Sequence, residues 1–430
     1  MRKIAVLALS LFVGGNALAE KPRVFAITGA RVVIAPGQVL DGGTVVLRDG
    51  LIEAVGKGVT PPADAWVIDG SGKTITAGFI DACADIGQKK TETPGGAGQQ
   101  APAPQRETPP GPVHPISRIH AERKAVDLLV VDAAAFEKHR GIGFTSAVTM
   151  PTDGIFRGEA AMIALGSAPV SGAILRASVG QLVAFEYGGF AQGYPTSLMG
   201  SIAAIRQALL DAQRHAVWAA RYQSDPVGMP RPDYMDAFGP LAEVASGRTP
   251  AIFDVRQSAD VARAIAIAKE FALNAMIIGS GAESVEPGAV STLKKSGYPV
   301  ILPLAFPDKP KVEDADEALN VSLQDLERWD AAPANPRALK DAGIPFALGT
   351  CRLTSVSDFS ANLRKTIERG LTADAALAAL TTAPAKFFGV EKSLGTLEAG
   401  KIANVVVFEG ASPDGEGIFA EKSRPALVFV

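Results

Sequence analysis

Four histidines (His114, His120, His139 and His215) and two cysteines (Cys83 and Cys351) are all the imidazole and thiol in this chain of 430 residues. Imidazole is the commonest ligand of a catalytic zinc and the commonest general base near neutral pH. Each of the four is read as a surface or packing histidine. The two cysteines open either a disulfide or a pair of buried free thiols. Which applies depends on the compartment, and the first residues bear on that. Met1-Arg2-Lys3 is a short basic start, Ile4 to Val13 is apolar, and Ala17-Leu18-Ala19 is a small-x-small cleavage site before Glu20. This is the pattern of a secretory signal peptide over residues 1–19, cleaved between Ala19 and Glu20. The expected location is periplasmic or secreted, an oxidising setting. No later run reaches the ~20 apolar residues of a membrane span. The net charge of −3 argues against a nucleic-acid partner.

The elements that must position any chemistry fall into two kinds. Val24 to Asp69 reads as short β-rich runs punctuated by glycine, with Asp49-Gly50 as a hairpin signal. From Ile75 short apolar strands alternate with longer helical stretches, the rhythm of parallel β/α units. Strands are expected at Gly78 to Ala82, Thr145 to Val148, Ala161 to Leu165, Ala251 to Val255, Ala275 to Ile278, Val300 to Leu304 and Phe346 to Leu348. Helices are expected at Ile116 to Val130, Leu198 to Arg221, Asp233 to Ala245, Asp260 to Phe271, Val285 to Lys295, Asp358 to Arg369 and Ala373 to Phe387. The length suits a barrel with insertions, with a doubly wound open sheet as the alternative. No glycine-rich phosphate fingerprint follows the first strand, so a dinucleotide site has no support. Residues 88–112 are rich in Gly, Pro, Gln and Thr and read as a flexible loop. After Phe388 the chain returns to β, with Ala403 to Phe408 and Leu427 to Val430 as strands.

Two segments carry a resemblance. Ala77-Gly78-Phe79-Ile80-Asp81-Ala82-Cys83-Ala84-Asp85 resembles the first-strand motif of the amidohydrolase superfamily, P-G-[LF]-I-D-x-H-x-H. Gly395-Thr396-Leu397-Glu398-Ala399-Gly400-Lys401-Ile402-Ala403-Asn404-Val405-Val406-Val407 resembles its C-terminal signature. Arg140 to Val148, with Gly143-Phe144-Thr145-Ser146-Ala147-Val148 at its centre, is similar to the second-strand stretch of the imidazolonepropionase-like branch. The resemblance implies an α/β chain, a TIM-like (β/α)8 barrel over 76–393 inserted into a small β-sandwich domain made of 20–75 plus 394–430. It also implies metal-dependent hydrolysis of C–N bonds in amides, cyclic amides or amidines, with histidines and a strand-eight aspartate as ligands. The metal would lower the pKa of bound water towards ~7.

The matching positions in this sequence hold other residues. Cys83 and Asp85 stand for the first-strand histidines, Asp254 and Arg256 for the fifth-strand pair, Ser280 for the sixth-strand histidine and Cys351 for the aspartate. Ala164 stands where some relatives carry a fourth-strand lysine. His139 lies at the wrong end of the barrel, His215 lies within a helix, and only His114 and His120 approach the mouth. The expectation is therefore a catalytically degenerate protein without a cofactor. Zinc accepts ligands such as Cys83, Asp85, Asp254 and Cys351, but without an imidazole that set would be unusual. In the family the positions of Cys83 and Cys351 approach a single metal, so the resemblance also implies a Cys83–Cys351 disulfide in its place. Asp81 is expected to serve strand-end hydrogen bonding. Such a protein would bind a small molecule or short peptide, form a homodimer, or pair with an active relative. The alternative is an active hydrolase with a remodelled Asp/Cys site, in which Asp85 and Asp254 serve as acid and base and Arg256 clamps a carboxylate.

Overall fold

The computed structural model describes residues 23–88, 112–188, 193–411 and 417–430. The signal segment and almost all of the expected loop at 88–112 lie outside the described residues. In chain order the small sheet begins with β1 (Val24–Ala35), β2 (Gln38–Arg48), β3 (Leu51–Gly56), β4 (Trp66–Asp69) and β5 (Thr74–Ala77). The barrel strands are β6 (Phe79–Ala84), β7 (Phe144–Thr149), β8 (Phe156–Ala164), β9 (Ile174–Ala184), β10 (Ala251–Asp254), β11 (Ala275–Ile278), β12 (Val300–Pro303) and β13 (Phe346–Gly349). The last two strands, β14 (Val405–Glu409) and β15 (Arg424–Phe429), rejoin the first sheet, β14 lying antiparallel to β5. The small unit is thus one seven-stranded sheet made by both ends of the chain. Residues 31–33 of β1 pair with β5 and residues 25–28 pair with β4, so one long strand serves two partners along the same edge.

Helices α1 (Ala133–Arg140), α2 (Val170–Ala173), α3 (Leu198–Ser224), α4 (Phe238–Ala245), α5 (Ser258–Glu270) and α6 (Ala289–Ser296) lie between the barrel strands. They are followed by α7 (Ala315–Ala318), α8 (Leu323–Ala331), α9 (Asn335–Asp341), α10 (Asp358–Glu368), α11 (Ala373–Leu380) and α12 (Thr382–Phe387). Every barrel strand contributes to one apolar interior cluster: Ile80, Val148, Met162, Leu182, Ile252, Met276, Ile301 and Ala347. Alternate residues such as Phe79, Ala147 and Phe253 face a second cluster shared with the helices. This is the period-2 division between the two faces of a barrel wall.

Three sequence expectations fail here, each for a physical reason. The stretch Ala161 to Leu165 does form a strand, but β8 runs antiparallel to both neighbours. Only six residues, 150–155, join β7 to β8, and a parallel crossover needs roughly a dozen or more. The strand β9 was not anticipated at all. Because it takes the fourth place, Ala164 belongs to the third strand and does not mark the lysine position. The expected helix Ile116 to Val130 is absent. That segment instead lies along β8, where His120 N–H donates to Phe156 O at 2.7 Å and Glu159 N–H donates to Arg123 O at 2.9 Å. Gly154 and Gly158, at φ 106° and 119°, make that approach feasible, because a Cβ on either would lie within 2.7 Å of a backbone oxygen of the segment. Only a 3₁₀ turn, Ala125–Leu128, survives.

The last barrel strand meets the first at a seam. Gly349 sits so close to β6 that a Cβ there would lie 2.8 Å from the Cys83 nitrogen. The seam is closed by Cys351 N–H donating to Cys83 O at 2.7 Å, and by Asp81. The buried Asp81 carboxylate accepts from Thr350 N–H at 2.9 Å, Thr350 Oγ1 at 2.5 Å and Cys83 N–H at 3.2 Å.

Candidate functional site

The C-terminal ends of the barrel strands bring together residues distant in sequence. Cys83 ends β6 and Cys351 follows β13. Their sulfurs are bonded at 2.11 Å with Cα atoms 5.3 Å apart. Beside this bridge lies an ion cluster. Asp254, at the end of β10, is 6% exposed. It accepts from Arg157 Nη1 at 2.6 Å and from Arg352 Nη2, and Arg256 Nε lies 3.4 Å away. Burial pushes the Asp254 carboxyl up, but the Arg157, Arg352 and Arg256 guanidiniums together outweigh burial and hold it at about 2. It is ionised at any physiological pH.

Arg352 ties the mouth together. Its Nη1 donates to Gly279 O at 2.8 Å and its Nη2 to Val255 O at 2.9 Å. Its own N–H donates to Asp85 at 2.8 Å. One residue therefore links the ends of β6, β10, β11 and β13. It does so at φ 68°, a left-handed conformation costly for a side chain of this size. Arg157 also approaches Glu186, at 3.6 Å. The reversed direction of β8 is what brings Arg157 to this end of the barrel.

Of the residues marked in the sequence, Asp254 and Arg256 are in contact, Asp85 joins them only through Arg352, and Cys83 and Cys351 are joined to each other. Ser280 lies apart from these. Its Oγ meets Ser258 Oγ at 3.0 Å and donates to the fully buried Glu283 at 3.0 Å. Glu283 also accepts from Ser280 N–H at 2.5 Å and Asn335 Nδ2 at 2.6 Å. A recess of about 190 Å³ opens nearby, lined by Arg256, Ser258, Ser280, Gly281, Ala305 and Arg328. Arg157, Arg352, Glu186 and Glu283 were not marked from the sequence. Arg352 adjoins Cys351, and that adjacency was the one available signal.

Three of the histidines serve packing. His139 is buried on α1, its Nδ1 against Ala135 O at 2.8 Å and its Nε2 3.8 Å from Asp81. Burial pushes its pKa down. His114 Nδ1 accepts from Ile116 N–H at 3.1 Å, and burial lowers its pKa as well. His215 stacks on Phe238 with ring centroids 4.4 Å apart.

The fold and this mouth can be set beside known proteins. An amidohydrolase from Thermotoga maritima MSB8 superposes with a TM-score of 0.75 over 94% of this chain and 97% of its own, at 21% identity. The chain has the amidohydrolase fold. A putative prolidase from Bifidobacterium longum (TM-score 0.55, 17% identity, 95% and 93% covered) and phenylurea hydrolase B (0.55, 14%, 94% and 95%) share it. Residues 328–430 match the sequence profile of the Amidohydrolase family. These findings bear out the resemblance to the amidohydrolase superfamily and the TIM-like barrel with its separate sheet. No curated protein matches the chain by sequence.

Members of that superfamily commonly use metals, so the donors present at the mouth of this amidohydrolase-fold chain can be weighed against a dication. They do not suit one. The two sulfurs are spent on each other and offer no thiolate. Asp254 is already neutralised by guanidiniums, and a dication beside it would face three cations at short range. Among the described residues no group of three or more His, Cys, Asp or Glu is placed to hold a metal ion. No helix among them is long and apolar enough to cross a membrane.

Proposed function

We propose that this chain is an exported amidohydrolase-fold protein that has given up metal hydrolysis and uses its barrel mouth to bind a small molecule or short peptide bearing a carboxylate. The observation that carries the reading is the occupation of the mouth by the Cys83–Cys351 bridge and by the Arg157–Asp254–Arg352 cluster. Hydrolysis of an amide needs an activated water and a proton acceptor. Asp254 is held ionised by hydrogen-bonded guanidiniums, so it is a poor proton acceptor at neutral pH, and it has no proton to donate. The disulfide supplies no nucleophile. That weighs against an acid–base pair of Asp85 and Asp254.

Binding has better support. The Arg256 side chain is 65% exposed and borders the recess with Arg328, Ser258 and Ser280. Guanidinium forks and hydroxyls are the groups that recognise a carboxylate. The basic-apolar leader at residues 1–19 supports export, and a bridge between the only two cysteines suits an oxidising compartment. The assay is direct. Purified protein is incubated with zinc, and bound metal, turnover of amides, cyclic amides and dipeptides, and calorimetric binding of the same dipeptides are measured. The expected result is no stoichiometric metal, no zinc-dependent turnover, and dipeptide binding weakened at least tenfold (roughly 1.4 kcal/mol) by Arg256→Ala. One zinc per chain with turnover that depends on it overturns the proposal.

A further inference from the structure

Two unpartnered faces of this molecule are complementary in shape class and in charge. The first is a groove on α3. Residues up to Ala212 of that helix include its buried ones, and none beyond Ala212 is buried. Over 213–224 the helix carries Arg214 and Arg221 and no acidic residue. Neither arginine makes an ion pair among the described residues. The segment after α3 folds back and is pinned by His215 Nε2 against Asp233 O at 2.8 Å and by Trp218 Nε1 donating to Pro230 O at 3.2 Å. Between helix and strap lies a concavity of about 450 Å³, walled by Leu210, Val217, Trp218 and Met229, with Arg214 and Arg221 at its rim. Leu210 is 51% exposed and Val217 64%.

The second face is the excursion after β12. Residues 306–331 hold eight acidic residues against three basic ones. Helix α8 buries none of its residues, yet it is well formed, because Ser322 and Asp325 close a capping box at its start. It is attached by polar contacts, Arg328 to Glu286 at 2.9 Å and Gln324 to Glu286 at 3.5 Å. Leu319 and Leu323 stand 85% and 71% exposed. Asp316 and Glu327 make no ion pair among the described residues. An acidic segment with bare leucines, Leu319 in the turn after α7 and Leu323 at the start of α8, is complementary in charge and polarity to an apolar groove rimmed by unpaired arginines.

We infer that the groove on α3 of one copy receives the α7–α8 segment of a second copy. Leu319 and Leu323 enter the concavity while Asp316 and Glu327 face Arg214 and Arg221. Each copy carries both faces, so the inferred assembly is a two-fold dimer in which each groove holds the other copy's segment; a contact that did not close would extend into longer assemblies.

Sedimentation velocity on the purified full chain tests this, up to about 100 μM, a range that detects dimers with micromolar dissociation constants. The wild type is expected to sediment as two chains. Leu323→Glu, which would bury a charge in the apolar concavity, and separately the pair Arg214→Glu and Arg221→Glu, which would set like charges against Asp316 and Glu327, should each raise the dimer dissociation constant at least ~10-fold. Adding Asp316→Arg and Glu327→Arg to the arginine-reversed chain should restore the dimer. All the substituted side chains lie at the surface, and circular dichroism confirms each variant is folded. A wild type that stays monomeric, a dimer indifferent to both disruptions, or a reversed pair that is not rescued overturns the inference.

Discussion

Replacing Asp254 with asparagine removes the one anion that three guanidiniums share while keeping nearly the same shape. The size of the effect follows from the carboxyl's two environments. It ionises at about 2 in the folded chain against 3.8 when unperturbed. One pH unit of such a difference is worth about 1.4 kcal/mol, so the ionised group contributes on the order of 2 kcal/mol at pH 7. The folded pKa is depressed, so this contribution is present above pH 3.8 and is mostly lost as pH falls through about 2. Arg157 and Arg352, whose side chains are 8% and 17% exposed, would be left facing each other in the variant. That adds to the loss, within the roughly 3–5 kcal/mol seen when a buried pair is broken. Urea unfolding followed by tryptophan fluorescence at a series of pH values gives the difference between wild type and Asp254→Asn. It should be about 3 kcal/mol at pH 7 and shrink toward pH 2. A difference below about 0.5 kcal/mol at pH 7, or one that does not narrow in acid, refutes the view that this cluster holds the barrel mouth together.

Two further outcomes follow from the seam. Reducing the Cys83–Cys351 bridge, which spans 268 residues, should lower stability by about 6 kcal/mol on the chain-entropy account, and thiol titration should find no free thiol before reduction. Asp81 behaves oppositely to Asp254, because burial raises its pKa to about 7 despite hydrogen bonds from Thr350 and Cys83. The folded state then holds a proton that the unfolded state has lost, so stability falls as pH rises from 3.8 to about 7. Asp81→Asn should abolish that slope, which a pH series of melting temperatures would reveal; an unchanged slope would show the group titrates normally.

Local pattern made much of the fold legible. Apolar runs separated by helical stretches marked seven of the eight barrel strands, and the tail motif marked the return to the sheet, because both depend on residues close in sequence. The missed strand β9 begins Ile174-Leu175-Arg176-Ala177-Ser178, which has no clean two-residue alternation. The false helix at 116–130 had a plausible local pattern that pairing with β8 overrode, a tertiary preference that no window of sequence contains.

The sequence by itself determined that the chain holds only four histidines, none in the motif positions, and that Cys83, Asp85, Asp254 and Cys351 stand at or just past the ends of barrel strands. Those are questions of residue type within short motifs. What fills the mouth was decided only by tertiary structure. Arg157 and Arg352 reach Asp254 from 97 and 98 residues away, on opposite sides along the chain. Their convergence depends on the reversal of β8 and on a left-handed backbone at Arg352. Charge pairing acts through space, and only the closed barrel brings those three side chains within its range.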